Sequence, residues 1–225
     1  MWKQMSSKHW SEQDKDKLLL KAFRDLETRG IKSELAKSAT PFTQLRNECE
    51  SVMRNESFAK SVEEYLRVRS ILRRSVEMFF TYIAMSARAD WENVPPAIRP
   101  ITTRGWFLGR WLPTFLVIDG PIGRFLNSHE SPLSQTLPVA SPMLDAARDF
   151  LRNKEFYTLR NGFAHWGFDW EVVGDESYVV AYNWESDLPI MKLHQKEADA
   201  YHIITFAIIE ILNITMINPN SGRPR

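Results

Sequence analysis

The chain has 225 residues, of which 44% are hydrophobic and 25% are charged, values typical of a soluble globular protein that can bury a large core. Its formal net charge of +1 excludes a general electrostatic attraction to nucleic acid or to membranes, so any phosphate binding must be local. The single cysteine, Cys49, excludes an intramolecular disulfide.

The two segments that bear on localisation both favour a cytoplasmic protein. Segment 1–17 contains no apolar stretch followed by a cleavage site, so we expect no secretory signal. The most apolar segment, 201–217, carries Glu210, and a carboxylate in the middle of a bilayer is costly. We therefore expect a core helix there and no association with a membrane.

The N-terminal third has helical patterns. Ser11 and Asp14 precede apolar residues at helical spacing, which predicts a capped amphipathic helix that stops near Gly30. Residues 43–89 contain no proline or glycine, and their apolar residues keep helical spacing. This stretch predicts one very long helix, or two nearly collinear helices with a break around 55–57.

The middle of the chain is rich in proline. Eight of the twelve prolines lie between residues 95 and 142, which predicts loops around short helices, one of them over 104–112. Ser141 and Pro142 then predict the N-cap and the first position of a new helix. The apolar pattern that follows places Arg160 at the end of this helix or at its junction with the next.

The pattern then changes to strands. Turn-forming residues, GDES, lie between two β-forming runs and predict a β-hairpin over 170–184. A third short strand is predicted over 189–193, and an apolar helix over 196–217. We expect a mainly α protein with a small β-hairpin inserted before the last helix.

A short polar motif, LRNGFAH, contains Arg160, Asn161 and His165. Because Arg124 and His129 have the same spacing, the spacing of arginine and histidine is not informative by itself. The pair Arg160 and His165 differs from this earlier pair in two ways. A polar residue, Asn161, directly follows its arginine, and the pair comes from a predicted helix. Aromatic and polar side chains that can hold a nucleotide also surround it, namely Tyr157, Phe163, Trp166 and Asp169.

LRNGFAH resembles the Arg–polar–x3–His motif of HEPN domains, an all-α family of nucleotide-binding and RNA-cleaving modules. The likeness is greatest to HEPN proteins of the abortive-infection type and covers 141–217, where the motif follows a long helix and precedes a final apolar helix. It implies a HEPN-like helical bundle that forms a single domain over 1–225. In that domain 1–40 would be an N-terminal helical extension and 170–184 a β-hairpin insertion.

The resemblance also implies a metal-independent endoribonuclease that needs no cofactor and works as a homodimer, with two copies of the motif in one cleft. His165 would act as a general acid or base, Arg160 would hold the scissile phosphate, and Asn161 would orient the pair. The residues implied to contact the RNA are Tyr157, Trp166 and Asp169. Such a protein would be a toxin or an antiphage defence effector, with an antitoxin protein as a partner.

These residue types suit the implied chemistry. Histidine changes protonation near neutral pH, as proton transfer at the 2′-hydroxyl or the 5′-oxygen requires, and a guanidinium matches phosphate oxygens.

Two alternatives to this interpretation stay open. Arg160 and His165 also fit an ordinary helix end, where they would interact with the last backbone groups. The chain also fits a non-catalytic HEPN-like helical module that dimerises and binds a partner.

Overall fold

The structure is a computed structural model that describes residues 10–31, 33–87, 111, 113–165, 167–183 and 188–219. Within these ranges the protein is mainly α-helical and has a small antiparallel sheet, as the sequence predicts. The predicted helix over 104–112, apart from Trp111, lies outside the described residues, and so does Trp166.

The first helix, α1 (Glu12–Asp25), begins after its N-cap Ser11 as predicted, but it ends at Asp25, five residues before the predicted stop near Gly30. Ser11 and Asp14 form a capping box, in which each backbone N–H donates to the other side chain, at 3.2 and 3.3 Å. A 3₁₀ turn, Glu27–Arg29, follows, and Gly30 ends it with φ at 67°, in the left-handed region that glycine adopts readily.

The predicted long helix is divided into more pieces than expected. The helices that follow are α2 (Glu34–Lys37), α3 (Pro41–Met53), α4 (Glu56–Val68) and α5 (Ser70–Ala87). The first break falls where predicted, because Asn55 caps α4 by accepting from the N–H of Phe58 at 2.9 Å. The prediction of at most two helices is wrong, since a second break occurs at Arg69, with ψ at 51°, where no glycine or proline marks it.

A buried carboxylate from α1 fixes the start of α3. Asp16 is 5% exposed and accepts hydrogen bonds from the N–H groups of Phe42 and Thr43, at 2.7 and 3.1 Å, and from the Thr43 hydroxyl at 2.6 Å. Because the first N–H groups of a helix have no partner within it, Asp16 serves as a remote N-cap and joins the two helices.

We expect Asp16→Ala to lower the free energy of unfolding by about 2–4 kcal/mol, because it removes a charged acceptor and leaves the buried N–H of Phe42 without a partner. Asp16→Asn retains one acceptor oxygen and should cost less than the alanine change. Urea denaturation of the wild type and both variants measures the two losses. A loss for Asp16→Ala no larger than that for Asp16→Asn would show that the cap does not depend on the carboxylate.

The proline-rich region contains short helical pieces, as predicted. A helical segment over 113–117 continues as a π-helical turn, Ile118–Ile122, and then as α6 (Gly123–Asn127). Gly123 allows the chain to pass directly from the π-helical turn into α6. A Cβ atom at this position would lie 2.6 Å from the Ile118 carbonyl oxygen, so any larger residue would clash. This segment carries Asp119 and Arg124 to the surface beside the motif.

A second carboxylate caps α7 (Pro142–Leu151) from a distance. Ser141 holds the N-cap position, as predicted, but its side chain makes no capping hydrogen bond. Glu48 of α3 accepts instead from the N–H groups of Met143 and Leu144, at 2.8 and 3.1 Å. Desolvation raises the pKa of Glu48, while these two hydrogen bonds act to lower it.

The motif lies on a separate helix, α8 (Lys154–Ala164), which Asn153 caps by accepting from the N–H of Glu155 at 2.9 Å. Because this cap starts a new helix after α7, Arg160 lies inside α8, one turn before its end. The predicted position of Arg160, at a helix end or junction, is therefore wrong. His165 occupies the C-cap position of α8.

The strands follow in the order β1 (Phe168–Val173), β2 (Glu176–Asn183) and β3 (Leu188–His194), and both pairings are antiparallel. The predicted hairpin is β1 and β2, joined by a turn in which Gly174 has φ at 62°. The predicted third strand is β3, which pairs with β2 and has a register irregularity at Ala181 and Tyr182.

The last helix, α9 (Gln195–Leu212), continues as a π-helical turn, Asn213–Ile217, and forms the centre of the core. It packs against α1, α3 and the sheet. The combined span is long and apolar enough to cross a membrane, but 83% of its most apolar window is buried inside the protein. The predicted core helix is present, and the cytoplasmic location stays a prediction.

Candidate functional site

The inner face of α8 is packed into the core, which fixes the orientation of the motif. Phe163 stacks on Phe115 with ring centroids 5.2 Å apart, and Phe156 and Leu159 are also buried. At Gly162 a Cβ atom would lie 3.1 Å from the Cβ of Ala181, so glycine allows α8 to approach β2 closely. The remaining positions of α8 form an outer face.

Arg160 lies at the edge of that outer face, with 12% of its side chain exposed. Its guanidinium forms an ion pair with Asp119, and its Cζ lies 4.3 Å from the centroid of the Tyr157 ring. Its Nε is buried and has no hydrogen-bond partner among the described residues. Burial lowers the pKa of Arg160. An arginine nevertheless stays charged in folded proteins, and the neighbouring carboxylate of Asp119 favours the charged form.

Asn161 and His165 lie on another part of the helix surface. Asn161 is half-buried, and His165 is exposed at the C-cap, where its backbone N–H donates to the Asn161 carbonyl oxygen at 3.0 Å. Five residues rotate a helix by roughly 140°, so the side chains of Arg160 and His165 leave α8 in diverging directions. No hydrogen bond or ring contact is found between Arg160 and His165 in the described part of the chain.

The residues expected to contact RNA are also separated. Tyr157 is 53% exposed and lies beside Arg160. Asp169 is exposed on β1, opposite Val180, and its carboxylate accepts from the N–H of Trp170 at 2.7 Å. The structure therefore brings Tyr157 to Arg160 and leaves Asp169 on the sheet, bonded to its own strand.

A groove next to Arg160 contains charged residues that the motif does not include. It has a volume of about 460 Å³ and lies between the α6 region and the α7–α8 junction. The charged residues that line it are Asp119, Arg124, Arg152 and Arg160. Three guanidiniums against one carboxylate give the groove a local charge of +2, in a protein whose total is only +1.

The sequence gives little indication of this groove. Arg124 belongs to the second arginine–histidine pair, but nothing in the chain order places it near Arg160. Arg152 is the C-cap residue of α7, and that position becomes apparent only when Asn153 is known to start a new helix. Asp119 lies in a π-helical turn, which no sequence pattern predicts.

The described ranges contain no group of three or more His, Cys, Asp or Glu side chains that could hold a metal ion. Comparisons of the chain with protein-family models, with curated proteins and with solved structures give no match. The resemblance to HEPN domains therefore depends on the LRNGFAH motif and on the mainly α architecture around it.

Proposed function

We propose that this protein is a metal-independent endoribonuclease of HEPN type that acts as a homodimer, with a role as a toxin or antiphage defence effector. The observation that supports the proposal best is the environment of Arg160. A largely buried guanidinium lies on an exposed tyrosine ring, at the edge of a positively charged groove, and its Nε lacks a partner among the described residues. This arrangement suits a phosphate with a neighbouring base.

The proposed reaction is attack of the ribose 2′-hydroxyl on the adjacent phosphorus, with cleavage of the P–O5′ bond. A base takes the proton of the 2′-hydroxyl, an acid protonates the leaving 5′-oxygen, and the products carry a 2′,3′-cyclic phosphate and a 5′-hydroxyl. His165 serves as the acid or the base. Arg160 binds the non-bridging oxygens and stabilises their charge in the transition state, and Asn161, one turn before His165, orients the imidazole.

A second subunit is needed because Arg160 and His165 diverge within one chain. His165 is exposed at the end of α8 and is therefore accessible to another copy. In the dimer the phosphate held by Arg160 of one subunit lies next to His165 of the other. Binding of the phosphate requires Arg160 to exchange its ion pair with Asp119, which is itself 43% exposed, for the ligand.

The proposal is tested with purified protein and a single-stranded RNA in EDTA. We expect cleavage, cyclic phosphate ends and, by light scattering, a mass twice the 26.2 kDa of one chain. Cleavage that appears only after addition of a divalent metal would contradict the metal-independent mechanism. A monomer at concentrations where the protein is active would contradict the shared cleft.

A second candidate is a non-catalytic HEPN-like module that dimerises and binds a partner. The ion pair between Arg160 and Asp119 favours it, because a guanidinium that already has a carboxylate needs no phosphate to balance its charge. A dimer that shows no RNA cleavage in the experiment above, with or without a divalent metal, would support this candidate over the nuclease.

A further inference from the structure

Two of the surface cavities that contain basic residues differ in their balance of charge. The larger, of about 950 Å³, lies between α4, α5 and the end of α9 and contains Lys60 and Arg73. Three carboxylates line the same cavity, from Glu56, Glu63 and Glu77, so its net charge is −1. The smaller groove beside Arg160 has a net charge of +2. An anionic ligand is therefore attracted to the smaller groove and repelled by the larger one.

Two arginines of the smaller groove are exposed, and neither Arg124 nor Arg152 has a carboxylate within ion-pair distance among the described residues. Arg160, in contrast, is largely buried and paired with Asp119. The groove floor is apolar, since Ile118, Leu126 and Phe156 line it. An apolar floor with unpaired guanidiniums at its rim is the arrangement that holds a base and its adjoining phosphates.

We propose that this groove binds the backbone of single-stranded RNA, with Arg124 and Arg152 each contacting a phosphate and the free face of Tyr157 stacking on a base. The inference rests on the proposed function only for the identity of the polyanion as RNA. Arg124 and Arg152 are positioning residues for the strand, and neither takes part in proton transfer. The groove thus extends the site beyond the motif.

The test measures binding of a short single-stranded 2′-O-methyl oligonucleotide of mixed sequence to the full chain by fluorescence anisotropy. This probe lacks the attacking hydroxyl, so binding is read without cleavage. We expect Arg124→Gln/Arg152→Gln to weaken binding about ten-fold or more at low salt. The slope of log affinity against log salt should fall by about 1.4, since each phosphate contact to a single strand contributes roughly 0.7.

The matched control is Arg67→Gln/Arg73→Gln, which removes the same charge from exposed positions of α4 and α5 outside the groove. We expect it to leave the salt slope unchanged. Equal losses in the two double variants would overturn the inference, because the binding would then be a response to total charge. An unchanged affinity in Arg124→Gln/Arg152→Gln, or no binding by the wild type, would overturn it as well.

A stacking contribution is tested separately at Tyr157. Tyr157→Phe keeps the ring and should bind as the wild type does, whereas Tyr157→Leu should lose about five-fold in affinity or more.

Failure of the nuclease proposal is distinguishable from failure of this inference. Dependence of binding on Arg124 and Arg152 without RNA cleavage supports the groove and rejects the nuclease. Cleavage without that dependence supports the nuclease and rejects the groove.

Discussion

Replacement of His165 by alanine should lower the rate of RNA cleavage in EDTA by about 10²–10⁴-fold, the factor that a positioned general acid or base contributes. The side chain of His165 is exposed at the C-cap of α8, and only its backbone N–H bonds to the helix, so the variant should fold as the wild type does. Initial rates on a fluorescent RNA, together with thermal unfolding of each variant, measure the two effects.

The chain offers a matched control in His129. Like His165 it is exposed and follows an arginine by five residues, but it lies outside the LRNGFAH motif, and an apolar residue, Phe125, directly follows its arginine. His129→Ala should therefore keep the rate of the wild type. A His165→Ala variant that cleaves normally, or equal losses in the two alanine variants, would exclude His165 from the chemistry and favour the non-catalytic module.

The second large effect concerns the pH dependence of stability, through Asp199 in the first half of α9. Burial raises the pKa of its carboxyl to about 7, from an ordinary value of 3.8. Asp25 acts in the same direction, whereas Lys21 and hydrogen bonds from Gln195 and Trp111 act to lower it. One of its oxygens, Oδ1, is buried without a partner among the described residues.

Because the folded protein holds this proton more tightly than the unfolded chain, stability falls as pH rises. The contribution of the protonated carboxyl is fully present below about pH 4, where both states are protonated, and is lost as pH rises through about 7. We expect Asp199→Asn to raise the free energy of unfolding at pH 8 by about 2–4 kcal/mol and to change it little at pH 4.

Urea denaturation of the wild type and Asp199→Asn between pH 4 and pH 8 checks this expectation. Asp175→Asn, at the exposed hairpin turn, is the control because it removes one carboxylate without removing a buried one. A gain in stability that is the same at both ends of the pH range would mean that the asparagine acts through packing or hydrogen bonding. Such a gain would contradict a stabilising effect that depends on the protonation of Asp199.

Local chemistry explains which elements are predictable from the sequence. The capping box at Ser11, the break at Asn55 and the hairpin turn at Gly174 each depend on residues within a few positions of one another. Such signals are local, so the chain order contains all the information that they need. The same holds for α9, whose apolar residues on nearly every side require burial.

The candidate site is predictable only in part, because only some of its residues are close to one another in the chain. The sequence by itself determined that Arg160, Asn161 and His165 follow one another on a helix that precedes a small sheet and an apolar last helix. It also brought Tyr157 within one turn of Arg160. Those relations are fixed by 3.6 residues per turn.

Only the tertiary structure decided which groups surround Arg160. Asp119 and Arg124 come from an earlier segment, and Arg152 comes from the end of α7, so all three approach Arg160 through packing of separate elements. The remote helix caps also depend on tertiary packing. Asp16 and Glu48 accept hydrogen bonds from the first N–H groups of helices that begin far from them in the chain. Distances between such residues depend on how whole helices pack, and that depends on the complete core, which no short stretch of sequence specifies.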